Sequence, residues 1–423
     1  MQIAIDARNA SVAMAMLTSD QKNTALKAIA VAINANATRI IEANQLDLAQ
    51  ARQDNISDVL YKRLKFDEAK IKEVIDGIES LIALDDPIGA SISKTELDDG
   101  FILNQVKCPI GVLGIIFESR PDALVQISAL ALKSSNAILL KGGSEAINTN
   151  RILADIISKA AINAGVPAGW LGLIEDRTQV AAMLGMQGYI DLIIPRGSNQ
   201  FVKYIINNTN IPVMGHADGI CHVFIDKTAD KAMAIDVAFD SKCQYPAVCN
   251  AMETLLIHRD IAADILPDLA AKLSQANVEL RGDSKVCEII SCNKAEDLDW
   301  KTEYNELILS IKVVDSLEEA IAHINQYGSG HTDAIITSEQ ATADKFMQLV
   351  DSADVFWNCS TRFADGFRFG LGAEVGVSTG KIHARGPVGL DGLTTYKWKL
   401  TGNGQTAAMY SGTNKRNFKH KKL

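Results

Sequence analysis

Seven cysteines, at 108, 221, 243, 249, 287, 292 and 359, are the most reactive side chains in this sequence. A cysteine attacks only as its thiolate, so its surroundings decide its use. At the mouth of a cleft, near backbone donors, it can be held for attack, whereas in a core it is a small inert hydrophobe. Cys243 and Cys249 share the segment SKCQYPAVCNAMETLLIH (241–258), where Cys249 occupies a short irregular stretch between a helical run and the strand-like METLLIH. Position alone does not separate the two, and a lone cysteine before a strand is more often a buried filler than a nucleophile. Cys221-His222 is the one adjacent Cys/His pair, but it lies in the strand-like CHVFID. Neighbouring strand residues point to opposite faces, so these two do not converge on one metal ion. No CxxC or HExxH spacing occurs. An odd number of cysteines without a regular framework indicates free thiols in a reducing compartment.

The elements that must position such a thiol follow from hydrophobic spacing. The first part of the chain reads as helical. Thr18 and Gln21 have capping-box spacing ahead of Leu26, Ile29, Ala30 and Ile33, and Asp67 is the expected N-cap of a stripe through Ile71, Val74, Ile75, Ile78 and Ile82. From Gly111 short apolar runs alternate with helical segments: GVLGIIF (111–117), AILLK (137–141), WLGLIE (170–175), YIDLIIP (189–195) and CHVFID (221–226). Continuous apolar strands separated by helices indicate a parallel sheet covered on both faces, and such sheets bind ligands at the carboxyl ends of their strands. The alternation restarts with METLLIH, ELILSIKVV, TDAIIT and ADVFW, giving a second α/β unit, and Cys359 to Gly404 is a Gly-, Arg- and Thr-rich loop system. The expected division is 1–225, 226–365 and 366–423.

Bulk properties narrow the class. At 423 residues the chain is too long for one ordinary core. With 47% hydrophobic and 22% charged residues it is globular rather than disordered. A net charge of −9 disfavours nucleic acid as a partner. The one basic run, Lys415, Arg416, Lys419, Lys421 and Lys422, reads as a solvated tail. No apolar run approaches a membrane span and the N-terminus lacks the pattern of a secretory signal, so a cytoplasmic protein with no membrane partner is expected. GxGxxG is absent, so an ordinary dinucleotide fingerprint cannot be claimed.

The order of these features resembles the aldehyde dehydrogenase superfamily: a nucleotide-binding α/β domain, a cysteine-bearing turn opening a second α/β domain, then a Gly-rich closing segment. The likeness is carried by IIFESRPDALVQISALALKSSNAILLKGGSEA (115–146), QYPAVCNAMETLLIH (244–258) and FWNCSTRFADGFRFGLGAEVGVSTGKIHARGPVGLDGLTTYKW (356–398). These long stretches are similar to the branch of the superfamily that reduces glutamyl phosphate, over nearly the whole chain. The resemblance implies an aldehyde dehydrogenase-like α/β fold with a parallel-sheet cofactor domain, a second α/β catalytic domain and a small β oligomerisation element. That element is the strand region 98–110, with GFILNQVK (100–107) beside GLTTYKWKL (392–400), adding across subunits of a homo-oligomer.

The same resemblance assigns the site. It makes Cys249 the nucleophile and Cys243 a neighbour. It implies NADPH/NADP as cofactor, with Lys141 at the adenosine ribose. Ser144 stands where many NAD-using relatives carry a carboxylate, leaving a 2′-phosphate unrepelled and free to pair with Lys141. Pro195-Arg196-Gly197-Ser198 resembles the turn beneath the cofactor pyrophosphate, where Gly197 allows close approach and Ser198 leads into a helix N-terminus. Glu303 matches the position that holds the nicotinamide ribose, although Glu306 leaves the register open. Hydrolytic relatives carry a general-base glutamate in Glu-Leu-Gly-Gly. The matching VMGHADGICH (213–222) has none, so water attacks a thioester slowly and phosphate becomes the exchange partner. His216 in that stretch reads as structural or phosphate-facing.

Arg120, Arg196, Arg362, Arg368 and Arg385 lie in the motif loops and suit carboxylate and phosphate, with Arg120 and Arg362 the first choices for substrate. The Cys249 N–H and Ser119 are the expected oxyanion donors. The implied reaction is NADPH-dependent reduction of L-glutamyl 5-phosphate to L-glutamate 5-semialdehyde and phosphate through a Cys249 thioester, in proline biosynthesis. It would be coupled to the glutamate kinase that makes the small anionic acyl-phosphate substrate. A hydrolytic or coenzyme A-acylating aldehyde dehydrogenase and a non-catalytic nucleotide-binding scaffold are the alternatives.

Overall fold

Helices α1 (Gln2–Met14), α2 (Ser19–Ala35), α3 (Ala37–Gln53), α4 (Asp58–Leu64) and α5 (Glu68–Ala83) open the chain in a computed structural model. The structure describes all residues but Ser119, Asp176, Arg177, Ser198, His216 and Ala217, and the side chains of Val59, Thr178 and Gln179. The capping box at Thr18 and Gln21 forms in both directions, and α2 buries Leu26, Ile29, Ala30 and Ile33. Asp67 caps α5 through the Lys70 N–H, and that helix buries Ile71, Val74, Ile78 and Leu81. These stripes pack on the first parallel sheet in one continuous core.

Two long antiparallel strands, β1 (Ser91–Asp98) and β2 (Phe101–Pro109), come next. The sequence offered 98–110 as a single strand; β1 is an additional partner, joined to β2 at a turn where Gly100 has φ +67°. The alternation that follows is β3 (Val112–Phe117), α6 (Pro121–Lys133), β4 (Ala137–Lys141), α7 (Ile147–Asn163), β5 (Leu171–Leu173), α8 (Thr178–Leu184), β6 (Leu192–Arg196) and α9 (Asn199–Asn207). The sheet order is β5-β4-β3-β6, all parallel. The chain winds outward from β3 to β5 and returns to lay β6 on the other side of β3. The carboxyl ends of β3 and β6 therefore diverge into a crevice, the place where open α/β sheets bind ligands.

The second sheet is built from β7 (Cys221–Ile225), α10 (Lys231–Cys243), β8 (Met252–His258), α11 (Arg259–Gln275), β9 (Glu279–Gly282), α12 (Ser284–Ile289), β10 (Asn293–Lys294), β11 (Ile308–Val314), α13 (Leu317–Tyr327), β12 (Thr332–Ile336), α14 (Gln340–Leu349) and β13 (Asp354–Trp357). Its order is β10-β9-β11-β8-β7-β12-β13. Here the fold differs from the sequence reading: CHVFID, expected as the last strand of the first unit, is the second sheet's β7, paired with β8 and β12. Both sheets bury parallel strands on two faces, so an apolar run carries no mark of which sheet it joins.

The Gly-rich segment adds only β14 (Val377–Ser378) and β15 (Gly386–Pro387) before β16 (Thr394–Thr401) and, near the C-terminus, β17 (Lys421–Lys422). β16 pairs with β2 over Thr394↔Pro109 to Thr401↔Ile102, completing a β16-β2-β1-β17 sheet. The basic tail is exposed, as expected, but it is not merely solvated. Lys421 and Lys422 pair with Glu96 and Thr95 of β1, Lys419 forms an ion pair with Asp99, and Phe418 stacks on Tyr410. The acidic turn after β1 supplies the complementary charge. Among the described residues no helix is long and apolar enough to cross a membrane.

Candidate active site

The crevice between β3 and β6 opens into a cavity of about 760 Å³, lined by Phe117, Gly197, Asn199, Cys249, Glu303 and Glu374 among others. Phe117 ends β3, while Gly197 follows β6 and precedes α9. A Cβ at Gly197 would stand 2.8 Å from Glu118 Oε2 and 3.0 Å from the Phe201 ring, so a side chain here would crowd the turn. Glu303 accepts a 2.6 Å hydrogen bond from Asn199 Nδ2, which ties the loop before β11 to the first turn of α9. Glu306 is exposed and does not line this cavity.

Cys249 reaches the cavity from the other side. It belongs to the irregular link between α10 and β8, three residues before the strand, so the second sheet presents the amino end of β8 to the cleft. The link is fixed at several points. Ala251 N–H donates to Val248 O at 3.0 Å, Asn250 Nδ2 donates to Ala364 O at 2.8 Å, and the buried Cys221 thiol donates to Cys249 O at 3.1 Å. Gly219 packs directly beneath: a Cβ there would fall 2.3 Å from the Cys249 carbonyl oxygen and 2.4 Å from its Cα. Among the described residues the Cys249 N–H donates no hydrogen bond. Cys243, at the end of α10, packs against the second sheet's core instead, and burial pushes its thiol up. His222 turns to the buried Asp333, at 2.9 Å, while Cys221 turns to the Cys249 link.

Beneath the link lies a buried ion pair, Lys242 to Glu253 at 2.6 Å. Burial pushes the Glu253 carboxyl up to about 7 in spite of the lysine. Its other oxygen accepts from Asn305 N–H, so one carboxylate joins α10, β8 and the loop that carries Glu303.

The arginines divide. Arg120 lines the cavity but is held by Asp122 at 3.0 Å. Arg362 is buried and bonded through Nε to Gln244 Oε1 at 2.9 Å. It interacts electrostatically with Cys249, yet it does not line the cavity that holds Cys249. Burial, and secondarily Arg368, lowers its basicity. Arg196, passed over in the first choice of substrate ligands, ends β6 inside the cavity, forms no ion pair among the described residues, and has a buried Nη1 without a hydrogen-bond partner. Burial foremost, then Arg120, lowers its basicity, while Glu374 and Cys249 favour its charge. Glu374 sits in the Gly-rich segment, where no helical or strand period could single it out.

Lys141 ends β4, next to β3, and is buried; Ser144 opens the short 3-10 turn that follows. Neither lines the cavity around Cys249. Beside them the Glu145 carboxylate lies over Gly143, where a Cβ would fall 2.0 Å from Glu145 Oε1. Ser119, Ser198 and His216 lie outside the described residues. In the stretch that replaces the hydrolytic base, Asp218 is occupied by Asn199 and Lys203, at 3.0 and 2.9 Å.

The sequence matches the aldehyde dehydrogenase family over residues 2–307. A gamma-glutamyl phosphate reductase of Ruminiclostridium cellulolyticum is 58% identical over 422 residues, 100% of this chain and 98% of its own. Another, from Acetivibrio thermocellus, is 58% identical with the same coverage. Among solved structures, the gamma-glutamyl phosphate reductase of Thermotoga maritima superposes with a TM-score of 0.94 at 40% identity, covering 96% of this chain and 99% of that one. An acetylating aldehyde dehydrogenase from Geobacillus thermoglucosidasius, 17% identical with a TM-score of 0.65, shares the fold.

Proposed function

Since the chain belongs to the aldehyde dehydrogenase family and, within it, to the gamma-glutamyl phosphate reductases, an oxidoreductase group, we propose that it reduces L-glutamyl 5-phosphate to L-glutamate 5-semialdehyde with release of phosphate, in proline biosynthesis. The observation that carries this reading is the meeting, in one cavity at the β3/β6 crevice, of Cys249 with its unbonded N–H and of the Gly197 turn and Glu303. The Cys249 thiolate attacks the acyl carbon, the C–S bond forms, and phosphate departs with the electrons of the C–O bond. The Cys249 N–H, with Ser119 as the proposed second donor, meets the negative charge that develops on the carbonyl oxygen. When bound, the nicotinamide supplies the hydride that reduces the resulting thioester. Collapse of the hemithioacetal returns the C–S electrons to sulfur and frees the aldehyde.

NADPH is the proposed cofactor. The open turn at Gly197 and the start of α9 suit a pyrophosphate, Glu303 a ribose, and Lys141 with Ser144 a 2′-phosphate. The Glu145 carboxylate beside Gly143 favours the second reading, NADH, because a carboxylate there accepts ribose hydroxyls and repels a phosphate. With Asp218 engaged by Lys203, that residue is not free to activate water, which favours phosphate over hydrolysis. Seven free thiols fit a cytoplasmic enzyme. A homo-oligomer joined through the β16-β2-β1-β17 sheet, and coupling to the glutamate kinase that makes a labile acyl phosphate, complete the proposal.

The test runs the reaction backwards with glutamate 5-semialdehyde and NADP⁺. NADPH formation should require inorganic phosphate, vanish in Cys249→Ala and persist in Cys243→Ala. Equal rates with and without phosphate would rule out the acyl-phosphate chemistry in favour of hydrolysis.

A further inference from the structure

A second cavity, of about 570 Å³, lies between α5, α6 and the Asp365–Glu374 part of the Gly-rich segment. It shares Arg120, Arg196 and Glu374 with the cavity that holds Cys249, so these three side chains form the wall where the two spaces meet. Most charges around the second space are already neutralised. Glu73 is paired with Lys70 at 2.7 Å, Asp76 with Lys72 at 2.6 Å, and Arg120 with Asp122 at 3.0 Å. Asp365 accepts the backbone N–H groups of Phe367 and Arg368. Among the described residues, two opposite charges on the shared wall have no such partner. Arg196 has a buried, unbonded Nη1, and among the described residues Glu374 accepts only from Gly366 N–H, at 2.8 Å, through Oε2. They sense each other electrostatically but do not close into an ion pair. An anion and a cation held apart at a cavity wall are complementary to a group that carries both charges itself.

We propose that Glu374 and Arg196 are the specificity-determining pair for the α-amino-acid head of the substrate, Glu374 receiving the α-ammonium and Arg196 the α-carboxylate. The inference rests on the glutamyl-phosphate reading above and adds to it how the enzyme tells a glutamyl chain from a plain acyl chain. The reacting carbon at Cys249 and the α-carbon are separated by two methylenes, so the head group lies at the wall and the second cavity takes its solvent shell. The isosteric Glu374→Gln change keeps the Gly366 hydrogen bond and removes the charge that pairs with an ammonium.

The experiment compares two aldehydes in the phosphate- and NADP⁺-dependent direction: glutamate 5-semialdehyde, which is 2-amino-5-oxopentanoate, and 5-oxopentanoate, which lacks only the ammonium. Wild type should favour the amino compound in kcat/KM by more than tenfold, and Glu374→Gln should reduce that preference at least tenfold. Arg196→Gln should instead reduce the preference for 2-amino-5-oxopentanoate over 4-aminobutanal, which lacks only the carboxylate. A Glu374→Gln enzyme that loses the same factor on both 5-oxo acids would overturn the assignment while leaving the reaction intact. Should that variant not fold, equal wild-type kcat/KM for the two acids overturns it as well. A wild type that oxidises neither acid with phosphate present would remove the glutamyl-phosphate reading, and this inference with it.

Discussion

The thiol proposed to attack, Cys249, is held in place because a glycine lets other backbone close in on it. Gly219 has no Cβ, so the strand entering β7 lies against the carbonyl of Cys249 and the Cys221 thiol can bond that same oxygen. Gly219→Ala must push the link outward. Overpacking of this kind costs about 1–3 kcal/mol, and misplacing a nucleophile by an ångström can cost about a hundredfold in rate. The variant should therefore fold with a lowered Tm and lose far more kcat than KM, read by thermal melting and steady-state kinetics. The proposed cofactor preference also turns on single residues. On the proposed NADPH reading Ser144 leaves room for a 2′-phosphate beside Lys141, so Ser144→Glu should shift the ratio of kcat/KM for NADP⁺ over NAD⁺ toward NAD⁺ by about tenfold or more, roughly 1.4 kcal/mol. If the ratio is already below one in the wild type, Glu145 sets the preference and NADH is the reductant.

At the scale of elements, the first sheet is positioned by contacts that join distant parts of the chain. The N-terminus of α7 has no cap from its own Ala146. Asp47, buried on α3, supplies it from outside. Its carboxylate accepts the N–H groups of Asn148 and Thr149, at 3.1 and 2.8 Å, and both of their side chains. Neighbouring Asn44 bonds the Leu64 carbonyl and Thr149, binding α3, α4 and α7 into one block beside the Lys141–Ser144 turn. Asp47→Ala strands two helix-end donors, one of them fully buried, and should cost about 3 kcal/mol, with Asp47→Asn recovering part of it. Denaturant melting of the three proteins side by side measures the difference. The capping boxes and apolar stripes of α2 and α5 are legible because they are local patterns within one turn or two. Asp47 is not, because nothing within its own helix marks its partner a hundred residues away.

The whole molecule carries one surface that its own core does not use. Along β16, at the edge of the small sheet, Tyr396, Trp398 and Leu400 are about half exposed, and the strand's outer backbone edge has no partner among the described residues. An uncovered edge strand with large apolar side chains is a template for another strand. The chain should accordingly be a homo-oligomer in solution, and Trp398→Glu with Leu400→Glu should yield the monomer mass by light scattering. A wild-type protein that is already monomeric would mean that this sheet does not join subunits.

Residue types and spacing by themselves determined the α/β class, the helical N-terminal block, most strands of both sheets and the conspicuous segments around Cys249 and the glycine-rich close. These are properties of short windows, where period and capping chemistry act directly on the backbone. Spacing could not choose Cys249 over Cys243; a family likeness did, and in three dimensions the first lines the cavity while the second packs into a core. Only the tertiary structure decided that CHVFID belongs to the second sheet, because a strand buried on both faces looks the same in either. Only the tertiary structure put Arg196 and Glu374 on one cavity wall while holding Arg362 against Gln244, since which arginine keeps an unbonded N–H depends on neighbours far apart in sequence. The thiol's place in the chain was readable, and the charges that share its cavity wall were not.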